Sequence, residues 1–317
     1  NVTSVTGYRP TVPSWSGEAR SRSRELSNAL LDLIGHCIIS LRKEIDPRII
    51  LRDAYGLSND VSNAIARHLE EHSIESFQVP DPTRMLVEQI ISGGHPTYMI
   101  TTCRGRGFNT ALGYFLAGLA ESKNISVIEM SFDENGLLLR TSKEIDPREM
   151  YDLFKTNDHI EIIERYIIST QIFAKRFKEV AGRSLIIPKR IGAEEVSPQQ
   201  FQQKADSLLN KHRTIDDSLL MREAKNEIMF ADIDIKSLND FLNSCVEGDA
   251  RIVHQKMTIP SRLGMSLFMS AFEDLMSMKT RAFLVKDIDP TVLQRLLGTR
   301  SLATELSSEE LNQYYLN

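Results

Sequence analysis

The sequence predicts a helix-rich α+β fold, in which a mixed, mostly antiparallel small sheet or barrel carries helices and a winged-helix-like helical part follows. Three observations lead to this prediction. Two hairpin patterns fall between residues 85 and 141, one amphipathic helix separates them, and helical periodicity prevails elsewhere. The expected organisation is a Trp-bearing loop, helices and the sheet or barrel in residues 1–145, then a mainly helical, winged-helix-like region in residues 146–317.

The N-terminal part begins with an irregular stretch of about 20 residues that is rich in Pro, Ser and Gly. Apolar residues at helical spacing then predict helices over 24–41, from 46 onward and over 58–71. The motif KEIDPR occurs at 43–48 and at 143–148, and KDIDP occurs at 286–290. We interpret all three as capping signals, because Asp caps a helix and Pro is tolerated at its first position.

The strands come next. Segments 85–91 and 97–102 flank Ser-Gly-Gly, while segments 125–132 and 137–141 flank Asp-Glu-Asn-Gly, and both spacings are typical of hairpins. The stretch between the two hairpins carries one apolar stripe at helical spacing and predicts a helix over 109–123.

The C-terminal part is predicted to be mainly helical, with one strand at 250–257 between the helices. This pattern resembles winged-helix units. The predicted helices are 147–155, 159–181, 198–211, 216–230, 236–245, 263–278 and 290–297.

Composition narrows the class of protein. The 317 residues carry a net charge of −5 and three widely separated cysteines, which favours free thiols in a reducing cytoplasm. No apolar run approaches the ~18 residues of a membrane span, so we expect no membrane partner. Because residue 1 is Asn, we expect a processed chain or a part of a longer protein.

The charge is distributed unevenly. Residues 1–190 hold 24 basic and 24 acidic residues, whereas residues 191–317 hold 14 and 19. Segment 165–190 alone contains seven basic residues and one acidic residue, Glu179. Such a window indicates either a phosphate-binding surface or an ordinary solvated helix face, and composition does not separate the two.

Motifs for chemistry are scarce. The chain has neither a GxxxxGK[ST] phosphate loop nor a GxSxG nucleophile elbow, so we assign it no catalytic residue and no cofactor. HLEEH at 68–72 matches a zinc-peptidase spacing, but its polar flanks favour a solvated helix end, and we assign no metal. The GRGFN turn at 105–109 could present backbone N–H groups to a phosphate, and Arg104 and Arg106 lie beside it.

Trp15 is the only tryptophan, and it lies in a loop of Pro, Ser and Gly where large aromatic residues are uncommon. Its indole either stacks on a nucleic-acid base or fills a gap between the N-terminal segment and the sheet. Arg20, Arg22 and Arg24 follow it closely, as suits a strand of phosphates. The residues alone leave both roles open.

Several segments taken in order resemble the large helicase-related (Lhr) proteins, across 7–264. The segments are GYRPTVPSWSGEARSRSREL, MLVEQIISGGHPTYMITTCRGRGFNTALGYFLA, STQIFAKRFKEVAGRSLIIPKR, QKADSLL, LMREAKNEI and MTIPSRLG. Two departures stand out. The family usually has His-x-Pro-Phe where this chain has Thr101-Thr102-Cys103-Arg104, and Pro-Phe is missing after Ser261.

The resemblance implies the C-terminal module of a superfamily-two DNA helicase, without the RecA-like motor that would bind ATP and Mg. It implies single-stranded DNA or a DNA/RNA hybrid as ligand, the motor domains as partner, and a base-stacking role for Trp15. Arg176 and Arg183 are seven residues apart and share a helix face, although pairing with acids such as Glu179 is an alternative. The candidate nucleic-acid-binding residues are Trp15, Arg20, Arg22, Arg104, Arg106, Arg176, Lys178 and Arg183.

Two other functions stay open at this point. This region of the family resembles alkylation-repair DNA glycosylases, so a base-excising activity is the first, although no single acid is selected for it. The acidic, helical region 191–317 also suits a protein-interaction scaffold.

Overall fold

A five-stranded open sheet lies at the centre of the protein. The computed structural model describes residues 21–76, 78–146, 158–188, 190–191, 194–215 and 218–276. The strands are β1 (Arg84–Ser92), β2 (His95–Thr101), β3 (Val127–Phe132), β4 (Gly136–Thr141), β5 (Arg190–Ile191), β6 (Glu194–Glu195) and β7 (Arg251–Lys256). The central sheet has the order β3-β4-β2-β1-β7, and β5 pairs with β6 separately.

Ten helices surround the sheet in the described part of the chain. They are α1 (Arg24–Arg42), α2 (Pro47–Asp53), α3 (Asn59–Glu75), α4 (Arg106–Ser122), α5 (His159–Ile167), α6 (Gln171–Arg183), α7 (Pro198–His212), α8 (Leu219–Ala231), α9 (Ile235–Glu247) and α10 (Arg262–Met276). The fold is therefore helix-rich α+β, as predicted. The helices expected at 147–155 and 290–297 lie outside the described residues.

Both predicted hairpins are confirmed, because β1 pairs with β2 and β3 pairs with β4, each antiparallel. In the second hairpin the Asp133 carboxylate accepts hydrogen bonds from the backbone N–H of Asn135 (2.7 Å) and Gly136 (2.8 Å). A Cβ at Gly136 would come within 2.2 Å of the Ile100 carbonyl oxygen. Glycine therefore lets β4 approach β2 closely at this point.

Strand β7 joins the sheet at the edge and runs parallel to β1, with Arg84 opposite Arg251. The sequence placed this strand between helices of the C-terminal region, but it completes the sheet of the N-terminal region. The sheet is thus mixed and mostly antiparallel. Among the described strands it is open, with β3 and β7 at its edges, so the barrel alternative is not formed.

The single helix predicted over 159–181 is wrong, because the structure divides it into α5 and α6. The Thr170 hydroxyl accepts a hydrogen bond from the backbone N–H of Phe173 (3.2 Å) and caps α6. Apolar periodicity continues through the break, since Ile163, Ile167 and Phe173 are all buried. The cap therefore overrides a periodic pattern that predicts one long helix.

Capping is confirmed where the structure describes it. The Asp46 carboxylate accepts from the backbone N–H of Arg48 (2.9 Å), and Pro47 occupies the first turn of α2. The prolines of the other two capping motifs lie outside the described residues. The polar end of α3 differs from expectation, because His72 is buried and its Nε2–H donates to the Gln78 carbonyl oxygen (2.7 Å).

Two apolar clusters form the core. The larger one places β1, β2 and β4 against α4 and extends through α5–α9, and the smaller one joins α1, α2 and α3. All three cysteines are free thiols, as the sequence predicts, and the structure buries them. Within the described part, no helix combines the length and the apolar character that crossing a membrane requires.

Candidate nucleic-acid interface

The turn that leads from β2 into α4 is tightly built. Gly105 has φ +93°, a conformation that L side chains rarely adopt, and a Cβ there would lie 2.9 Å from the Arg22 carbonyl oxygen. The segment that precedes α1 therefore passes directly over this turn. The closeness of the two backbones requires glycine at this position.

Glu134 and Ser21 fasten the segment to the turn. One oxygen of the Glu134 carboxylate accepts from the backbone N–H of Arg22 (3.0 Å) and of Arg106 (3.2 Å). The Ser21 hydroxyl accepts from the backbone N–H of Gly107 (3.0 Å). The first N–H groups of α4 thus have partners within the chain, which leaves the nearby arginine side chains as the groups suited to phosphates.

Arg104 lies against two aromatic rings. Its guanidinium carbon is 5.4 Å from the ring centroid of Phe108 and 4.6 Å from that of Phe241, and one Nη donates to the Pro82 carbonyl oxygen. Burial, with a smaller contribution from the charge of Arg24, lowers the pKa of Arg104 to about 10. Arg104 therefore joins β2, α4 and α9 and adds a positive charge beneath the surface.

The other arginines at this turn differ in exposure. Arg22 donates from Nη2 to the Asn135 side-chain oxygen (3.0 Å), and its buried Nη1 has no partner among the described residues. Arg24 forms an ion pair with Asp240 (2.6 Å) in which both side chains are about half exposed. The Arg106 side chain is exposed at the first position of α4. We call Arg22, Arg24, Arg104 and Arg106 the α4 arginine cluster.

The basic residues of α6 have different surroundings. Arg176 donates from Nη2 to both carboxylate oxygens of Asp232 (3.0 and 2.9 Å) and from Nη1 to Glu179 (3.1 Å). Arg183 pairs with Glu227, which also lies 3.8 Å from Arg176. The Arg176 side chain is 26% exposed and that of Arg183 is 62% exposed. The pairing with Glu179 named above as an alternative is thus present.

Lys178 lies on another side of the same helix. Its Nζ donates to the Gln202 side-chain oxygen and is 5.9 Å from the ring centroid of Phe201, so it faces α7. Arg176 and Arg183 instead share Glu227 on α8. The helix places these two arginines on one face, as their spacing predicts, and places Lys178 on another.

A short linker connects the two basic regions. Asp232 binds Arg176, and two residues later the backbone N–H of Asp234 donates to the Gly107 carbonyl oxygen (3.1 Å). The α8–α9 linker therefore contacts both α6 and the first turn of α4. Trp15 and Arg20, the remaining candidate residues, lie outside the described residues.

Sequence reasoning missed the residues that organise this region. In the sequence Glu134 is recognisable only as a part of a hairpin turn, and Phe241 is one of ten residues in the predicted helix 236–245 with nothing to single it out. Their roles depend on contacts between distant parts of the chain, since Glu134 is 112 residues from Arg22. Among the described residues, no group of three His, Cys, Asp or Glu side chains is placed to hold a metal ion.

Comparison with known proteins gives consistent matches. Residues 79–264 match the protein family described as DEAD/H associated. The chain is 28% identical over 297 residues to ATP-dependent helicase Lhr-Core protein 2 of Thermococcus barophilus, covering 90% of this chain and 33% of that protein. It is 24% identical over 297 residues to ATP-dependent helicase Lhr-Core of Methanocaldococcus jannaschii, covering 92% and 34% respectively. The chain thus spans about a third of the length of these curated relatives.

The fold also has a counterpart among solved structures. It resembles the helicase Lhr of Mycobacterium smegmatis, determined bound to ssDNA and AMP-PNP, with a TM-score of 0.68 and 22% identity. The match covers 82% of this chain and 33% of that chain. At this level of identity the likeness establishes the shared fold.

Proposed function

This chain belongs to the DEAD/H associated family, and we propose that it is the nucleic-acid-binding accessory part of an ATP-dependent DNA helicase. In this proposal it grips the tracking single strand of DNA, or of a DNA/RNA hybrid, by base stacking and phosphate contacts. The motor domains of the parent helicase bind ATP and Mg in this proposal. These domains are the proposed protein partner of the chain. The proposed location is the cytoplasm.

The observation that carries the proposal is the anchoring of residues 21 and 22 across the first turn of α4. Ser21 and Arg22 are hydrogen-bonded there, beside the α4 arginine cluster, and Arg20 directly precedes them in the sequence. Trp15 is only six residues before Ser21. An aromatic face and several cations within reach of one another are what sequence-tolerant binding of a single strand needs.

The two kinds of contact contribute differently. A base stacked on an aromatic ring contributes about 1–3 kcal/mol to binding whatever its identity. Each arginine on a phosphate adds affinity through the release of counterions, and that affinity falls as salt rises. A helicase accessory part benefits from both, since it must hold any sequence as the strand moves.

The α6 residues form the outer part of the proposed path. Arg183 is mostly exposed and meets a single carboxylate, so a phosphate can compete for its guanidinium. Arg176 is enclosed by Asp232, Glu179 and Glu227, and its contribution to binding is proposed to be smaller. Lys178 completes the set on the side that faces α7.

The experiment measures the affinity of the full chain for a fluorescein-labelled single strand at several salt concentrations, by anisotropy. Arg106→Ala removes one exposed cation of the cluster and is expected to lower the slope of log K against log[salt] by about one unit. Arg67→Ala, an exposed arginine on α3, is the matched control and should leave the slope unchanged. Equal slopes for Arg106→Ala and the wild type would reject a phosphate role for this cluster.

A further inference from the structure

The turn between β3 and β4 binds the turn between β2 and α4 through main-chain atoms. The Glu134 carbonyl oxygen accepts a hydrogen bond from the backbone N–H of Gly105 (3.1 Å). The Asn135 carbonyl oxygen accepts from the backbone N–H of Thr102 (2.9 Å) and of Cys103 (2.7 Å). Because no side chain takes part in these three bonds, a substitution of the Glu134 side chain does not remove any of them.

The turn between β2 and α4 also contains a strained residue. Cys103 has φ +54°, which is uncommon for a residue other than glycine. Such conformations persist only where the surrounding structure holds them, and they are concentrated at functional sites. The bonds from the Asn135 carbonyl oxygen supply that support here. The strain therefore directs attention to the groups that hold this turn and its surroundings in place.

The Glu134 carboxylate makes a separate set of contacts. One of its oxygens lies 3.0 Å from the backbone nitrogen of Arg22 and 3.2 Å from that of Arg106. A single side-chain atom thus joins the segment before α1 to the first residue of α4. It also determines how close the backbones of these two arginines lie.

The charge of Glu134 is unfavourable for the proposed ligand. A carboxylate beside Arg22 and Arg106 repels a polyanion and offsets part of the attraction that the arginines exert. The N–H groups at the start of α4, in contrast, are stabilised by an acidic acceptor. The carboxylate therefore has two opposite effects on the binding of a phosphate chain, and substitutions can separate them.

We propose that Glu134 is a positioning residue for the single strand, and that its carboxylate holds Arg22 against Arg106 so that the α4 arginine cluster acts as one set of cations. Arg106 contacts the strand, and Glu134 acts through it. The inference rests on the proposed function, because the ligand is the same strand. Ser21 makes a second bond of the same kind, since its hydroxyl accepts from the backbone N–H of Gly107 (3.0 Å).

The test measures the affinity of the full chain for a fluorescein-labelled oligothymidylate, by anisotropy at several salt concentrations. Glu134→Gln removes the charge but keeps an oxygen that accepts both N–H groups, so it should bind at least as tightly as the wild type. Glu134→Ala removes the acceptor as well, and it is expected to weaken binding about tenfold although a negative charge is lost. A purely electrostatic role predicts instead that both variants bind more tightly.

The salt dependence shows whether Glu134 acts through Arg106. Glu134→Ala should lower the slope of log K against log[salt] by about one unit, and the addition of Arg106→Ala should lower it no further. If Glu134→Ala affected only the stability of the fold, Arg106→Ala would still lower the slope in that background. Urea unfolding followed by circular dichroism measures the stability of each variant.

Ser21→Ala provides a second variant that keeps the charge constant. It removes the bond to Gly107 and is expected to weaken binding in the same direction as Glu134→Ala. The proposal can therefore be tested even if Glu134→Ala does not fold. An unchanged affinity in Ser21→Ala, together with tighter binding by Glu134→Ala, would overturn the proposal.

Glu121→Ala is the matched control, because it removes an exposed carboxylate from the other end of α4. It should change neither the slope nor the affinity. If Arg106→Ala weakens binding while Glu134→Ala binds as tightly as Glu134→Gln, only this inference fails. If the wild-type chain binds no strand at all, the inference and the proposed function both fail.

Discussion

The start of α4 and the face of α6 are both rich in arginine, yet they use these residues differently. On α6, Arg176 and Arg183 meet three carboxylates, two of which belong to the distant segment 227–232. At α4, the nearby carboxylate of Glu134 binds backbone N–H groups instead, and the Arg106 side chain stays exposed. Carboxylates therefore compensate much of the positive charge on α6, whereas at α4 the Arg106 side chain remains exposed.

The difference shows what a count of charges in a sequence window can and cannot reveal. Segment 165–190 has a large local excess of positive charge, but two of the acids that compensate it lie 40 or more residues away. The turn at 104–106 contains only two arginines, which is a weaker signal in a count of charges. Carboxylates that the fold brings close determine in which region the arginine charge remains available to a ligand.

The largest effect on stability is expected from a substitution in the turn between β2 and α4. Gly105→Ala is expected to destabilise the protein by about 3 kcal/mol, because alanine must adopt a positive φ and its Cβ meets the Arg22 carbonyl oxygen. Urea unfolding followed by circular dichroism measures this change. Gly56→Ala is the matched control, since its φ is +63° but no atom lies within 4 Å of the added Cβ.

Gly56→Ala should lower the free energy of unfolding by about 1 kcal/mol, because only the positive φ is unfavourable for alanine there. If the two variants lose the same free energy of unfolding, the segment before α1 is not in close contact with the turn. That result would remove the anchoring of the N-terminal segment on which the proposed function rests.

A smaller effect is expected on α6. Arg176→Ala leaves the partly buried carboxylate of Asp232 without this partner and is expected to lower the free energy of unfolding by about 2 kcal/mol. Arg183→Ala, whose side chain is mostly exposed, should shift the urea midpoint much less. The two variants share a helix and a carboxylate, so each is a control for the other.

The effects of these two variants on the binding of a single strand should follow the opposite order from their effects on stability. Arg183→Ala should change the salt slope more than Arg176→Ala, because only the former is open to a phosphate. A larger slope change for Arg176→Ala would show that its carboxylates yield to nucleic acid, and the distinction drawn between α4 and α6 would then be invalid.

Much of the fold follows from local sequence. The two hairpins depend on short turn sequences such as Asn135-Gly136, and the start of α2 depends on the adjacent pair Asp46-Pro47, so the nearest neighbours contain the information. The break between α5 and α6 was missed because Thr170 acts through one hydrogen bond inside an apolar pattern that continues on both sides.

The candidate site was less predictable, because it depends on contacts between remote segments. The parallel pairing of β7 with β1 joins residues more than 160 positions apart. The stacking of Arg104 on Phe241 and the bond of Arg22 to Glu134 are also non-local. The sequence allows the arginines to be identified as candidates. It does not identify the groups that pair with them, and therefore does not show how much of their charge is compensated.

The central claim is that a single strand is held beside the start of α4, within reach of Trp15. Because Trp15 is the only tryptophan in 317 residues, the tryptophan emission of the protein reports on this residue alone. Titration with an unlabelled oligothymidylate should quench the emission along the same curve that anisotropy gives for binding. An emission spectrum that stays unchanged when anisotropy shows complete binding would contradict the account.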